Sequence, residues 1–303
     1  MFDLHFHSDA SDGEASLETV IAALAARPEL ELVCLADHDA LSASAELAQV
    51  EPRAWVGIEL TSMAGPRRVD LLALNVRPDY ASLNAYLATR VTERRARFAL
   101  FGQLLRSEGW IFEPPPEIWA KPQLAQPHVV AELRRHKVNL DRFENLGIPR
   151  QFENGAVGED DPIYPRLLDG YDSIIKAQTE TAVGRTEDLI ALTHAAGGLA
   201  VVAHPWVNVY ERGTANRIEA RRILTALVEA ELDGLELWHH DQTCNPAAQA
   251  ELTAFAQEHD LLLTGGSDDH SPDLEFLGSA LPAEVDGRPY LDRIRAAAVL
   301  RRQ

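Results

Sequence analysis

Short, nearly continuous apolar runs rich in β-branched residues recur along the chain, most of them separated by longer Ala/Leu-rich stretches. Runs of this length predict strands, and seven are read, at residues 2–7, 32–36, 54–58, 69–74, 199–203, 234–238 and 261–265. Because most are continuous rather than alternating, they predict parallel strands buried on both faces. Helices are predicted over 16–26, 186–196, 217–231 and 247–259, and such alternation points to a βα barrel or an open α/β sheet. Residues 82–185 break the pattern. One long helix is predicted over 82–108, with Leu83, Leu87, Val91, Phe98, Phe101 and Leu105 at helical spacing. The turn Pro114-Pro115-Pro116, a short helix near 127–136 and an irregular stretch at 154–165 come after it. The expected organisation is a barrel domain of residues 1–81 and 186–303, with 82–185 as a mostly helical insert capping the active site.

The candidate chemistry lies at the strand ends. The first strand ends in His5 and His7, the second in Asp37-His38-Asp39 and the third in Gly57-Ile58-Glu59. The fifth ends in His204-Pro205, the sixth in His239-His240 and the seventh in Asp268-Asp269-His270. In parallel α/β folds the C-terminal strand ends converge on the active site. Singly these motifs say little. His-x-His puts two imidazoles on one strand face whether they are structural or ligands, and Glu59 alone would be an ordinary strand-end carboxylate. Together they gather nitrogen and carboxylate oxygen without cysteine, a donor set for Zn, Mn or Fe, with the carboxylates favouring the harder end of that range. The donors exceed the needs of one ion, so two or three metals are expected, and they would relieve the cost of burying so many carboxylates.

Charge narrows the ligand. With 28 basic and 47 acidic residues the net charge is −19, which disfavours long duplex nucleic acid but not a small anion held by metal ions. The three lysines, Lys121, Lys137 and Lys176, all lie mid-chain. Two cysteines, Cys34 and Cys244, give no disulfide framework and suit a reducing compartment. No apolar stretch approaches the roughly 20 residues of a membrane span, and the N-terminus lacks a basic signal region, so a cytoplasmic enzyme without membrane partners is expected.

His5-Phe6-His7-Ser8-Asp9-Ala10-Ser11-Asp12-Gly13, Ala36-Asp37-His38-Asp39, Gly57-Ile58-Glu59, Ala203-His204-Pro205 and Gly266-Ser267-Asp268-Asp269-His270 occur in the order and context of the PHP (polymerase and histidinol phosphatase) family. The resemblance covers roughly residues 1–75 and 186–280. It implies a metal-dependent phosphoesterase on a distorted seven-stranded (β/α)7 barrel. The stand-alone architecture, the Ser11-Asp12-Gly13 step and the run from Leu192 to Ala200 are most similar to a bacterial branch of 3′,5′-nucleoside bisphosphate phosphatases and 5′→3′ exoribonucleases.

The resemblance implies that His5, His7, Glu59 and Asp268 hold one metal, with Glu59 bridging to a second held also by His204. Asp12, His38 and His270 would surround a third position, and Asp37 would be a ligand or would orient one. His128 matches a family histidine that completes the second metal, although a histidine on a capping helix is the competing reading. Manganese is the expected metal, with iron, zinc or magnesium as alternatives. Two departures stand out. Many members carry a histidine in the fourth strand where this chain has Asp70, and the branch's Gly-Lys-Pro-Ala-Tyr stretch is replaced by residues 158–165 and their successors.

The reaction expected is hydrolysis of a nucleotide phosphate monoester, foremost the 3′-phosphate of a nucleoside 3′,5′-bisphosphate, by attack of metal-bound hydroxide. Asp268, His204 or His239 would assist proton transfer. Arg134, Arg135 and Lys176 of the insert would clamp phosphate and Trp238 would stack on a base, against a solvated helix face and a core tryptophan as the plainer readings. His136, His194, His240 and His259 are read as structural or surface residues. The rival activities are a 5′→3′ exoribonuclease on short RNA and an amidohydrolase-type C–N hydrolase, and a non-catalytic metal-binding module is the third possibility. The composition is silent on oligomeric state.

Overall fold

A computed structural model of the chain describes residues 1–121, 123–124, 126–150, 162–171, 175, 183–206, 209, 217–239 and 246–302. Two compact units emerge, Met1–Leu87 with Val183–Gln303, and Ala88–Ala182.

The first unit is built on one seven-stranded sheet whose strands neighbour one another in chain order. They are β1 (Phe2–Phe6), β2 (Leu32–Leu35), β3 (Ala54–Ala64), β4 (Arg67–Leu74), β5 (Leu199–Val202), β6 (Gly234–His239) and β7 (Leu262–Gly266). The last strand returns to the first. His7 N–H donates to the Asp269 carbonyl at 3.0 Å, and Asp268 N–H donates to the His5 carbonyl at 2.7 Å. The sheet thereby curls into a nearly closed barrel, the arrangement expected from the resemblance. Around it lie α1 (Leu17–Ala25), α2 (Ser42–Val50), the start of α3 (Ala81–Ser107), and the helices Thr186–Ala195, Arg217–Glu229, Pro246–Glu258 and Arg288–Arg301.

Not every strand is parallel. β4 runs antiparallel to both neighbours, joined to β3 by a hairpin in register from Gly57↔Leu74 to Ala64↔Arg67. Its turn is Gly65-Pro66, with Gly65 at φ +59°, the left-handed conformation that two-residue hairpin turns require and glycine adopts at no steric cost. β3 and β4 therefore extend beyond the predicted runs at 54–58 and 69–74. A continuous apolar run reports burial on both faces but not strand direction. The polar residues Thr61, Ser62, Arg67 and Arg68 lack the apolar signal altogether.

Alternation along β1 separates two environments. Phe2 and Leu4 join the large apolar cluster that includes Leu72, Val201, Leu235 and Leu252, while Phe6 packs with Val20, Leu24 and Leu35. Asp3, His5 and His7 take the other face and are fully buried. α1 starts where Ser16 accepts from Thr19 N–H at 3.2 Å, a side-chain cap on an otherwise orphaned donor.

The second unit has its own core of Phe98, Phe101, Leu105, Trp110, Phe112, Val130, Leu133 and Phe143, contributed by the remainder of α3, the segment after it, α5 (Gln126–Arg134) and α6 (Lys137–Asn145), with Ile118 and Trp119 of α4 (Pro116–Ala120) packed against it. Buried Asn139 ties it together, donating to the Ile111 and Leu133 carbonyls and accepting from Ile111 N–H.

Closure of the barrel leaves no room beside β1. A Cβ added at Gly266 would lie 2.2 Å from His5 Cβ and 2.6 Å from His5 N. Gly266→Ala is expected to cost about 1–3 kcal/mol through overpacking, seen as a melting temperature lower by several degrees. An unchanged melting temperature would contradict this close approach of β7 to β1.

Candidate metal centre

At one end of the barrel, four donor atoms from β1, β3 and the loop after β7 converge. His5 Nε2 and His7 Nε2 are 3.2 Å apart. Asp268 Oδ1 lies 3.3 Å from the first and 2.9 Å from the second, and Glu59 Oε2 lies 3.3 and 3.4 Å from the same two. Two imidazole lone pairs at such a distance repel unless a cation lies between them. Five separations of 2.9–3.4 Å gather these donors closely enough to share one small cation. These four residues form one of three donor groups among the described residues; the others are His38, Glu59 and Asp70, and His7, Asp12 and His270.

Neighbouring side chains fix which nitrogen faces the centre. Glu236, fully buried on β6, accepts from His5 Nδ1 at 3.1 Å, which leaves His5 Nε2 with its lone pair inward. His270 Nδ1 donates to the Asp268 carbonyl at 2.8 Å, and its Nε2 faces Asp12 Oδ1 at 3.5 Å. Glu59 reaches both ways. Its Oε1 lies 3.1 Å from His204 Nε2, and its Oε2 lies 3.1 Å from His38 Nδ1. The backbone contributes too, since Asp39, His204 and Asp268 all take left-handed conformations, at φ 46°, 27° and 50°. Non-glycine residues rarely do so, and such strain gathers at functional sites. Here it turns strand-end side chains back over the barrel mouth.

The donor chemistry fits a divalent cation. Asp12 Oδ1, His38 Nδ1 and Glu59 Oε2 are buried without a hydrogen-bond partner, a costly state that a coordinated ion would relieve. The set is nitrogen and oxygen without sulfur, suited to zinc, manganese or iron.

Protons hold the cluster together when no cation does. Burial disfavours charge on Glu59, but His38 and His5 keep its carboxyl well below the usual range. Burial opposes charge on Asp268 and Asp12 as well, yet His5 holds the first and His38 the second well below theirs. Burial lowers the histidines, but Glu236, Asp268 and Glu59 hold His5 well above its ordinary value, and Glu59 lifts His204 to about 9. Asp12 and Asp268 similarly lift His270 to about 10 against its burial. His7 goes the other way, lowered by burial and by His270.

Several expected site residues sit elsewhere. Asp37 is absent from the donor groups; its oxygens accept from Ser8 N–H at 2.8 Å, Ser8 Oγ at 2.7 Å and Ser11 Oγ at 2.6 Å. Ser11 Oγ in turn lies 3.4 Å from His7 Nδ1, so Asp37 is linked through Ser11 to His7 and its loop. Trp238 does not face the site. It packs edge-on against Tyr290, with ring centroids 4.6 Å apart, inside the apolar core. A bulge in β6 between Glu236 and Trp238 explains this, since one extra residue lets Glu236 and His239, three positions apart, share the site face. His239 Nε2 is 3.3 Å from Asp268 Oδ2, and its ring meets Trp206 edge-on.

Arg134 and Arg135 are engaged within the second unit. Arg134 donates to the Pro149 and Arg150 carbonyls, and Arg135 pairs with Glu132 at 2.8 Å. His128 is buried on α5 of that unit. Lys176, His240 and Cys244 lie outside the described residues. His194 pairs with Asp233 at 2.8 Å, a structural contact. Glu236 escapes a reading of strand ends because it interrupts the run Gly-Leu-Glu-Leu-Trp mid-strand; a lone carboxylate inside a buried strand is the signal that could find it.

No family model matches the chain. It is 26% identical to the phosphoribosyl 1,2-cyclic phosphate 1,2-diphosphodiesterase of Eggerthella lenta, over 88% of this chain and 93% of that protein. It is 26% identical to the 5′-3′ exoribonuclease of Haemophilus influenzae, over 93% and 97%. With the 3′,5′-nucleoside bisphosphate phosphatase of Chromobacterium violaceum the identity is 28%, over 89% and 87%. Among solved structures, one described as a metal-dependent phosphoesterase from Bifidobacterium adolescentis superposes with a TM-score of 0.66 at 23% identity, covering 97% of this chain and 95% of that one. Another, described as an amidohydrolase from Chromobacterium violaceum with bound sulfate and no metal, gives 0.65 at 23% identity, over 97% and 96%. No described helix is long and apolar enough to cross a membrane.

The geometry predicts two outcomes. Glu236→Gln, which weakens the grip on His5 Nδ1, is expected to lower metal affinity about 10- to 100-fold in a chelator competition; wild-type affinity would refute the orienting role. The second concerns pH. A histidine raised from 6.5 to about 9 or 10 stabilises the metal-free fold fully below pH 6.5, and that stabilisation is lost as pH rises through 9 for His204 and 10 for His270. Calorimetry should show the metal-free melting temperature falling across this window. Metal uptake at pH 7 should release protons, so metal affinity should rise over the same range. A flat melting profile, or uptake without proton release, would contradict this charge balance.

Proposed function

The chain belongs to the PHP family of metal-dependent phosphoesterases, and we propose that it hydrolyses a phosphate monoester of a small nucleotide, foremost the 3′-phosphate of a nucleoside 3′,5′-bisphosphate. The observation that carries the phosphoesterase reading is the convergence of His5, His7, Glu59 and Asp268 on one point, with Glu59 shared by His38 and His204. The likeness to the Chromobacterium bisphosphate phosphatase and the net charge of −19 support the small substrate.

Ions held by these residues and by Asp12, Asp70 and His270 would activate water and neutralise the phosphoryl oxygens. The chain's own groups then position and move protons. Asp268 presents Oδ1 to His5 and His7 and Oδ2 to His239, so it joins the donor group to a titratable imidazole. His239 is placed to hold a proton at Nε2 for the leaving oxygen as the P–O bond breaks and water supplies the new oxygen. The half-buried His204, against Glu59 Oε1, stands on the other side of that carboxylate.

The exoribonuclease is the second reading, supported by the similarity to the Haemophilus enzyme over nearly the whole chain. The test is to incubate manganese-loaded protein with adenosine 3′,5′-bisphosphate, a 5′-mononucleotide, short 5′-phosphorylated RNA and simple amides. Inorganic phosphate should appear from the bisphosphate. Asp268→Asn should reduce kcat at least about 100-fold, while His259→Ala, at the end of the helix Pro246–Glu258, should leave it unchanged. Mononucleotides released from RNA without phosphate from the bisphosphate would transfer the assignment to the second reading. Ammonia from amides alone would sink both.

A further inference from the structure

The β3–β4 hairpin carries a row of side chains that the metal centre uses only in part. Residues directly opposite in an antiparallel pair share a face, and so do residues two apart on one strand. The registers Glu59↔Leu72, Thr61↔Asp70 and Met63↔Arg68 therefore place Glu59, Thr61, Asp70 and Arg68 on the same side of the hairpin. That side begins at the centre, since Glu59 and Asp70 belong with His38 to one donor group.

Two features of this row point to a ligand. The Arg68 guanidinium is held against Asp70 of that group, with Nε and a terminal nitrogen both 3.2 Å from Asp70 Oδ1, while 52% of its side chain remains exposed. Next to Asp70 across the ladder, the Thr61 hydroxyl is buried without a hydrogen-bond partner. A buried hydroxyl left unpaired is costly, and together with a cation whose fork has donors to spare it suits an oxyanion.

We infer that Arg68 and Thr61, on the inner face of the β3–β4 hairpin, bind a phosphate group of the substrate beside the metal centre. This rests on the phosphoesterase reading. It supplies the positive charge that the centre, rich in carboxylates, lacks for an anionic substrate, and it does so from the barrel itself rather than from Arg134 or Arg135, which are engaged within the second unit.

The test is calorimetric titration of inorganic phosphate into the manganese-loaded full chain. Arg68→Gln should weaken phosphate binding at least about tenfold and Thr61→Val about threefold, with Arg68→Lys recovering part of the loss. Arg67→Gln, whose guanidinium pairs with Glu219 at 3.4 Å, should bind as wild type. Manganese affinity of Arg68→Gln should stay within about threefold of wild type. Undiminished phosphate affinity in Arg68→Gln would overturn the inference. So would an equal loss in Arg67→Gln, or a loss of manganese affinity as large as that of phosphate, which would mean that Arg68 acts only through Asp70.

Kinetics assign the phosphate. A KM raised by Arg68→Gln for both a 3′-mononucleotide and the 3′,5′-bisphosphate, with kcat less affected, identifies the phosphate that is cleaved. A rise for the bisphosphate alone identifies the second one. If the wild type cleaves no monoester, the proposed function fails while the phosphate titration still decides this site.

Discussion

Everything at the barrel mouth answers to one constraint, the burial of Glu59. Its side chain has no exposed surface, yet it is held ionised, which in a low-dielectric interior is tolerable only beside compensating positive charge. Four imidazoles surround it, from His5, His7, His38 and His204, on β1 and on the chain just beyond β1, β2 and β5. Those imidazoles cannot all be cations at such short mutual distances without repelling one another. The arrangement has two ways to balance, with protons or with metal ions. Protons balance it poorly, leaving Glu59 Oε2, Asp12 Oδ1 and His38 Nδ1 without a hydrogen bond, and this is the physical case for ions.

The barrel exists to hold that arrangement still. β1 offers two histidines on one face because strand side chains alternate, and the bonds from β1 to the chain after β7 bring Asp268 against them. A layer of carboxylates stands behind the ligands. Glu236 fixes the His5 ring and also accepts from His204 N–H at 2.9 Å, so one buried side chain sets two donors. Asp37 gathers Ser8 and Ser11, and Asp269 gathers Ser271 and Phe276 N–H, which secures the loops that carry Asp12 and His270. These loops would otherwise be the mobile parts of the site.

The candidate ligands are legible in the sequence for a simple reason. His5, His7, Glu59, His204 and Asp268 each terminate an apolar run, so position along the chain reports position in space. The hidden features lack a linear signature. Strand direction at β4 is invisible in a run buried on both faces. The bulge in β6 breaks period two, which conceals Glu236 and puts Trp238 on the wrong side of any regular strand. Asp37 has the same chemistry as a ligand, and nothing in the linear sequence shows that it gathers Ser8 and Ser11. The helices Ser42–Val50 and Arg288–Arg301 escape detection because their apolar positions are sparse, although Leu291, Ile294 and Ala298 do keep helical spacing.

The hairpin shows why the barrel core alone does not determine the substrate. The relatives bear names for a cyclic phosphate diester, an RNA and a nucleoside bisphosphate, which share a phosphate ester and little else. A donor group that grips ions and a phosphoryl oxygen is indifferent to what lies beyond the scissile bond. Discrimination must come from side chains that the metals do not occupy. β3 and β4 continue past Glu59 and Asp70 for several residues, and the turn at Gly65-Pro66 keeps the two strands in register as far as Arg68. A rigid two-stranded arm fixes a guanidinium more closely than a loop would, because the β3–β4 ladder holds its backbone as far as Ala64↔Arg67. Charge placed on such an arm can select an anion without adding another titrating group to the crowded centre. In this chain an arginine and an aspartate sit two residues apart on that arm, and the pair lets the centre stay acidic enough to hold metal while it presents a cation to the substrate.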